Sequence, residues 1–524
     1  MLKLVGKRHF FLIFGTLFDY AKAIQLNMKN TLLLSICLFA FFINTNAQQN
    51  VKFHIDEMPD DTIYLARYFG DRLYYADTAV AKNQTVIFNK KELIEGVYAL
   101  VCPGPKYFEF IMSKEDVVMY TKMSDFVGNM RVIKSENNKI FYSYITFLNE
   151  KKKIAQEYQA NKQVDKLADL DKEVKAFQQK IVFENKNKLG AKILAMSIDP
   201  IVPDELKSND TLRYRFFLDH YWDNIDVTDK RIVHSPVYHN KLDHFFKKMI
   251  PQHPDTICYH AQKIIDQMDP TSDLFKYTVH YITYNYETSN IMGMDAVFVC
   301  MAQKYYCPAT ETGAFWLDST KLVDLCDKAY NLSPLLIGKQ APRIILADTT
   351  QENWVDFYKN TQKYNLLLFW DPDCGHCKKE IPKLLKLYHD FNDMDVDIEV
   401  FAFGTNLENE DWKKFIKEKQ LDWTNLSDFP AANENPRVYL YEKKVTDLKS
   451  LNFRKTYDIF STPQVYLLDK DKKIIGKRLD ALTLGKMVEH LEKIELNYVR
   501  VLEEQNKKEA ADKKKKEEQK AVEN

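Results

Sequence analysis

Glycine is scarce in this chain, 14 residues in 524. No Walker-type or dinucleotide fingerprint appears, which argues against a glycine-rich phosphate cradle. Charge of one sign is not in excess: 74 basic residues face 74 acidic ones. That balance supplies no electrostatic reason for nucleic acid as a partner. The chain contains no H-E-x-x-H, and no second C-x-x-C or C-x-x-H follows the single C-x-x-C at ligand spacing, so a zinc site has no partner half. Long apolar runs are missing too. The longest near the start, Leu32 to Ile43, is short for a membrane span.

What is present supports packed cores: hydrophobic residues make up 45% and aromatic residues 13%. The length suits about three domains. Met28-Lys29-Asn30, the run Leu32 to Ile43 and then Asn44-Thr45-Asn46-Ala47 have the layout of a secretory signal: a basic start, a short apolar core and a small-residue cleavage site. Residues 1–47 are therefore expected to be a targeting region, with Met28 as the true start. An upstream run, Phe10 to Phe18 behind Lys3, Lys7 and Arg8, leaves a membrane-anchoring extension as the alternative.

Residues 48–135 carry short alternating segments separated by Gly, Pro, Asn and Asp, as in Val51-Phe53-Ile55 and Tyr107 to Ile111. The expectation is a small antiparallel β-sandwich-like domain. Residues 136–332 change to helical spacing, as in Ile140, Phe141, Tyr144, Phe147 and Leu148, and are expected to form an all-α domain. From 335 to 500 strand and helix patterns alternate as in an α/β fold, ending in one helix from about Thr483 to Glu503. Residues 501–524 form a charged tail, either helix extension or disorder. Beyond the C-x-x-C pair, five cysteines would remain after cleavage: Cys102, Cys258, Cys300, Cys307 and Cys326. An odd number cannot all pair within one chain. They are expected to be mostly buried free thiols, with Cys300–Cys307 a possible pair.

Cys374-Gly375-His376-Cys377 follows an apolar strand, Asn365 to Trp370, and precedes a helical pattern, Lys378 to Phe391. In that order the first thiol lands at a helix N-terminus. Unpaired N–H groups and the positive end of the dipole there favour a thiolate. The second thiol comes one turn later, within reach of a disulfide. A loop so tight would constrain the unfolded chain little, so reversible redox chemistry is the better reading.

The stretch Leu368 to Pro382 resembles exported thioredoxin-fold proteins of the TlpA/ResA type. Gly338-Lys339-Gln340-Ala341-Pro342 is similar to the family's opening G-x-x-A-P segment, and Ser461-Thr462-Pro463 before a strand is similar to its cis-proline loop. The resemblance implies a thioredoxin fold over residues 335–500 and a thiol–disulfide oxidoreductase. Cys374 would be the nucleophile and Cys377 the resolving thiol. His376 would favour the thiolate, and Glu380 would relay a proton to or from Cys377. Trp370 and Thr462 would shape substrate docking beside Pro463. No organic cofactor or metal is required. The implied partners are protein disulfides or thiols and an upstream electron donor, in the periplasm or cell envelope of a bacterium, with membrane proximity if the N-terminus stays uncleaved. Two positions depart from thioredoxins: Asp373 replaces the usual Trp, and Leu368 replaces the buried Asp. The alternatives are a peroxiredoxin-like peroxidase and a non-catalytic scaffold that docks a partner.

Overall fold

Apolar residues at every second position make the N-terminal segments strands, because alternate side chains point to opposite faces. The computed structural model describes residues 50–89, 93–104, 106–307, 314–406 and 409–523; the expected targeting region, 1–47, lies outside them. The described residues form two compact units, one of 50–67 together with those of 73–191, the other of 68–72 together with those of 192–523.

The N-terminal strands, which belong to the first unit apart from residues 68, 69 and 72, are β1 (Val51–Asp56), β2 (Thr62–Phe69), β3 (Arg72–Val80), β4 (Thr85–Phe88), β5 (Gly96–Cys102), β6 (Lys106–Met112), β7 (Val117–Lys122) and β8 (Arg131–Lys134). They form sheets of order β4-β1-β7-β8 and β3-β2-β5-β6. Phe53 of one sheet meets Phe110 of the other edge to face, ring centroids 4.8 Å apart. The expectation of a purely antiparallel sandwich is corrected: β1 and β7 run parallel, Val51 opposite Val117. Pairing partners 66 residues apart leave no local trace in a sequence. The helices Glu136–Ala160 and Val164–Glu184 lie in the same unit and stack Phe147 on Phe177 at 4.0 Å. The side chain of buried Asn138 accepts the Ile111 N–H at 2.7 Å and donates to the Ile111 carbonyl at 2.7 Å, which ties the first helix to β6.

The helical part of the second unit is punctuated as its sequence suggests. Ser235, Ser272 and Asp318 accept backbone N–H bonds at helix starts, and Pro236 and Pro254 occupy first turns, where no N–H partner is needed. The cysteine expectation is corrected here. Cys258 pairs with Cys300 and Cys307 with Cys326, so Cys300 and Cys307 do not bond each other. Which helices are neighbours decides the pairing, and spacing along the chain does not carry that. Buried Cys102 is the odd thiol.

The C-terminal sheet is built from β9 (Ile345–Asp348), β10 (Trp354–Asp356), β11 (Tyr364–Trp370), β12 (Ile398–Gly404), β13 (Thr424–Ser427), β14 (Gln464–Leu468) and β15 (Ile474–Lys477), in the order β10-β9-β13-β12-β11-β14-β15. β11 is parallel to β12 and antiparallel to β14, and every residue of it is buried. The Gly338–Pro342 segment runs beside β15: Gly338 donates to the Ile474 carbonyl at 2.8 Å and Ala341 to the Lys472 carbonyl at 2.9 Å. The single terminal helix expected over 483–503 is two helices, Ala481–Glu492 and Asn497–Glu523, broken where Lys493 turns left-handed at φ 56°. Val499 and Leu502 of the second are buried against the sheet's core, and its continuation through the charged tail is exposed. Among the described residues no helix is long and apolar enough to cross a membrane.

One buried pair links the helical part to this sheet within the second unit. The Lys477 ammonium, 4% exposed, bonds the Asp295 carboxylate at the start of helix Asp295–Tyr305 and donates to the Leu335 carbonyl at 2.8 Å. Burial pulls the lysine's pKa down, and Asp295 opposes it. Removing one partner strands the other in a medium that solvates it poorly. Asp295→Ala is expected to cost about 3–5 kcal/mol in urea unfolding of the full chain, read on the transition of this unit; a loss below about 1 kcal/mol would show that the pair does not hold the helices to the sheet.

Candidate active site

The central strand β11 delivers the chain to the dithiol. Asp371, Pro372 and Asp373 make the turn: the Asp371 carboxylate accepts the Asp373 N–H at 2.8 Å, and its carbonyl accepts the Cys374 N–H at 3.2 Å. Cys374 is the N-cap of the motif helix Gly375–Asp393, in extended conformation at φ −69°, ψ 121°. First-turn N–H groups have no partner within a helix, so they are free to serve its sulfur. The helix continues through Pro382 and buries Cys377, Ile381, Leu384 and Leu387 along one stripe.

Pro463 arrives from far along the chain. The Thr462–Pro463 peptide is cis, and Gln464, the next residue, opens β14 opposite Phe369 of β11. This register places the loop beside the dithiol. The Thr462 carbonyl accepts the Cys374 Sγ–H at 3.1 Å. That contact favours the thiol form, whereas the Thr462 hydroxyl favours the thiolate.

The two sulfurs have opposite environments. Burial raises the pKa of half-buried Cys374, but hydrogen bonding from the Thr462 side chain, the Cys377 backbone N–H, the Cys377 thiol and the His376 N–H outweighs it and holds the thiol below its ordinary range. Cys377 has no exposed surface. Burial pushes its thiol up to about 12, only partly opposed by the Asp371 backbone and Thr462.

The structure brings together Cys374, Cys377, Thr462 and Pro463, sets His376 and Glu380 on the cleft beside them, and buries Trp370 in the core. The exposed His376 acts on Cys374 through its backbone N–H. Glu380 accepts the Ala481 N–H at 2.6 Å, at the start of helix Ala481–Glu492, and lies 3.6 Å from the Lys383 ammonium. Trp370 is wholly buried in the core, 5.1 Å from the Phe415 ring. Asp373 is exposed and its carboxylate accepts from the Asn406 side chain at 3.3 Å. Leu368 is buried and apolar, so it supplies no proton acceptor under the dithiol.

Beside these groups opens a cleft of about 730 Å³ that includes His376, Glu380, Thr462 and Pro463. Sequence reasoning missed its other walls: Lys328 from helix Ser319–Leu332, Asp458 and Phe460 before the proline loop, and Arg478 after β15. They share no motif, and chain folding alone collects them. Phe460 carried the one readable signal, an aromatic immediately before Ser-Thr-Pro, and it is 84% exposed.

In the reduced full-length protein, iodoacetamide near pH 7.5 should label Cys374 and spare Cys377 until the solution approaches pH 12. The labelling rate of Cys374 should titrate below the ordinary thiol value of about 8.5. Mass spectrometry after labelling across pH checks this, and equal reactivity of the two thiols would contradict the geometry.

Residues 337–477 match the AhpC/TSA family, and residues 148–332 match a domain of unknown function, DUF5106. Thiol-disulfide oxidoreductase ResA of Bacillus thuringiensis subsp. konkukian is 27% identical over 158 residues, 30% of this chain and 78% of that protein. Among solved structures, a domain of a possible thiol-disulfide isomerase from Cytophaga hutchinsonii is 36% identical, covering 31% of this chain and 96% of that one, with a TM-score of 0.25. A thioredoxin-like protein from Bacteroides caccae is 20% identical, covering 55% of this chain and 96% of that one, with a TM-score of 0.38. The dithiol thus sits in an AhpC/TSA-type thioredoxin-like domain over residues 337–477 that is similar to ResA, and the chain is a thiol–disulfide oxidoreductase.

Proposed function

We propose that the protein reduces or isomerises disulfides of other proteins through Cys374 and Cys377, after export from the cytoplasm. The observation that carries this reading is the division of labour between the sulfurs: one half-exposed thiol held toward the anion, one buried thiol held toward the neutral form. The Cys374 thiolate attacks a substrate sulfur, the substrate S–S bond breaks, and its second sulfur leaves as a thiolate that takes up a proton. Cys377 then loses its proton and attacks Cys374 Sγ. The mixed disulfide breaks, the substrate departs as a dithiol, and two electrons have passed to it. The Cys374–Cys377 disulfide is returned to the dithiol by an upstream electron donor; run through the mixed disulfide alone, the same chemistry isomerises.

Thr462 and Pro463 present backbone groups to an extended substrate segment beside Cys374, and His376 supplies an N–H to the thiolate. Glu380, one helical turn beyond Cys377, receives the proton that the resolving thiol must shed. Export is supported by the two disulfides in the helical part, since such bonds persist in oxidising compartments. In this reading residues 1–47 direct export and are removed, the β-rich and helical segments over 48–332 serve the redox domain of 335–500, and the tail of 501–524 stays solvated.

Cys377→Ala should accumulate mixed disulfides with protein substrates through Cys374, seen on non-reducing gels and lost with dithiothreitol. Cys374→Ala should reduce no protein disulfide above background. Glu380→Gln should slow resolution of the mixed disulfide by about 100-fold in single-turnover kinetics while leaving its formation rate little changed. A Cys377→Ala protein that traps nothing would exclude the mechanism.

A further inference from the structure

We propose that the cleft beside Cys374 selects polypeptide segments with acidic side chains near the target cysteine, and that the helical part of the chain sets this preference through Lys328. The inference rests on the redox reading above and names the substrate class for the same site.

The cleft is lined by His376, Thr462 and Pro463, and Thr462 is hydrogen-bonded to the Cys374 sulfur, so a polypeptide segment joined to Cys374 runs beside it. Two of its three acids are committed to backbone N–H groups. Glu380 accepts the Ala481 N–H, and Asp480 accepts the Thr483 N–H at 2.7 Å as the cap of the same helix. Asp458 is half-buried and feels Lys328 and Arg478, both of which favour its charged form against burial. Its cations are less committed. Lys379 and Arg478 are exposed and form no ion pair among the described residues. Lys328 is held at 2.6 Å by Glu287, a residue of the neighbouring helix Asp273–Glu287, which fixes its ammonium at the cleft rim. Lys379 and Arg478, set against the single carboxylate of Asp458, leave the cleft with an excess of positive N–H donors beside the exposed ring of Phe460, which together suit carboxylates flanked by an apolar side chain. Lys328 lies outside the thioredoxin-like domain, so the selectivity is not a property of that domain alone.

The test uses the full-length reduced protein and two disulfide-bonded peptides alike except for Glu or Lys on either side of the cysteine. Wild type should show a higher kcat/KM on the acidic peptide, with a preference that shrinks as salt rises. Lys379→Glu combined with Arg478→Glu should lower the acidic-to-basic ratio about tenfold, and Lys328→Gln should lower it about threefold. Both peptides are read on one preparation, so loss of folded protein cancels from the ratio. An unchanged ratio in the double variant overturns the proposal, and an unchanged ratio in Lys328→Gln overturns the role of the helical part. Failure of the wild type to reduce even 2-hydroxyethyl disulfide would instead overturn the redox reading beneath it.

Discussion

A sulfur atom at the open end of a helix, with a second sulfur one turn down in the core, is the constraint on which this structure depends. The motif helix must start where β11 ends, and it must lie on the sheet so that Cys377, Ile381, Leu384 and Leu387 are buried while Cys374 is not. The position alone separates the two thiols chemically. Each unit of pKa difference corresponds to about 1.4 kcal/mol of differential interaction with the two protonation states. Backbone N–H groups and Thr462 supply that difference on one sulfur, and the low polarity of the core supplies it on the other.

The register of the central strands does the remaining positioning. β11 lies between β12 and β14, and the pairing of Phe369 with Gln464 leaves Thr462 and Pro463 no place but beside Cys374. A one-residue slip in that pairing would invert every side chain of β14, driving Val465 and Leu467 out of the core they share with the motif helix and into the opposite core, where Tyr466 and Leu468 pack. The geometry of the thiol is thus protected by the hydrophobic pattern of a strand that contributes no reactive group. Arg454 adds a polar brace: its guanidinium bonds both oxygens of buried Asp428 at 2.6 and 2.8 Å and donates to the Thr405 carbonyl at 2.9 Å, fixing the segment that leads to the proline loop.

The helical part of the second unit is joined to the redox sheet through Lys477 and Asp295 and is stapled by two disulfides of its own. Covalent and ionic ties of this kind suit a wall that must keep its place rather than a flexible linker. The cleft beside Cys374 takes Lys328 from that wall. The dithiol is thus carried by the thioredoxin-like sheet, and part of the rim of the cleft beside it by a helix outside that sheet.

Local features were legible in the sequence because their physics is local. An apolar run reads as a buried strand, C-x-x-C before helical spacing places a thiol on a helix N-terminus, and a Pro before a strand marks the loop that became Thr462–Pro463. Cys374 and Cys377 were found that way. β3 was not, because an edge strand with exposed Leu73, Tyr74 and Tyr75 has no inside-to-outside alternation to read. The burial of Trp370, the hold of Glu380 on Ala481, the two disulfides and the parallel pairing of β1 with β7 were likewise invisible. Each joins residues whose separation along the chain says nothing about their separation in space. The sequence by itself determined the chemistry, two thiols two residues apart at the start of a helix. Tertiary structure alone decided which sulfur is exposed, which groups surround it and what can approach, because solvation and hydrogen bonding depend on neighbours that only folding brings together.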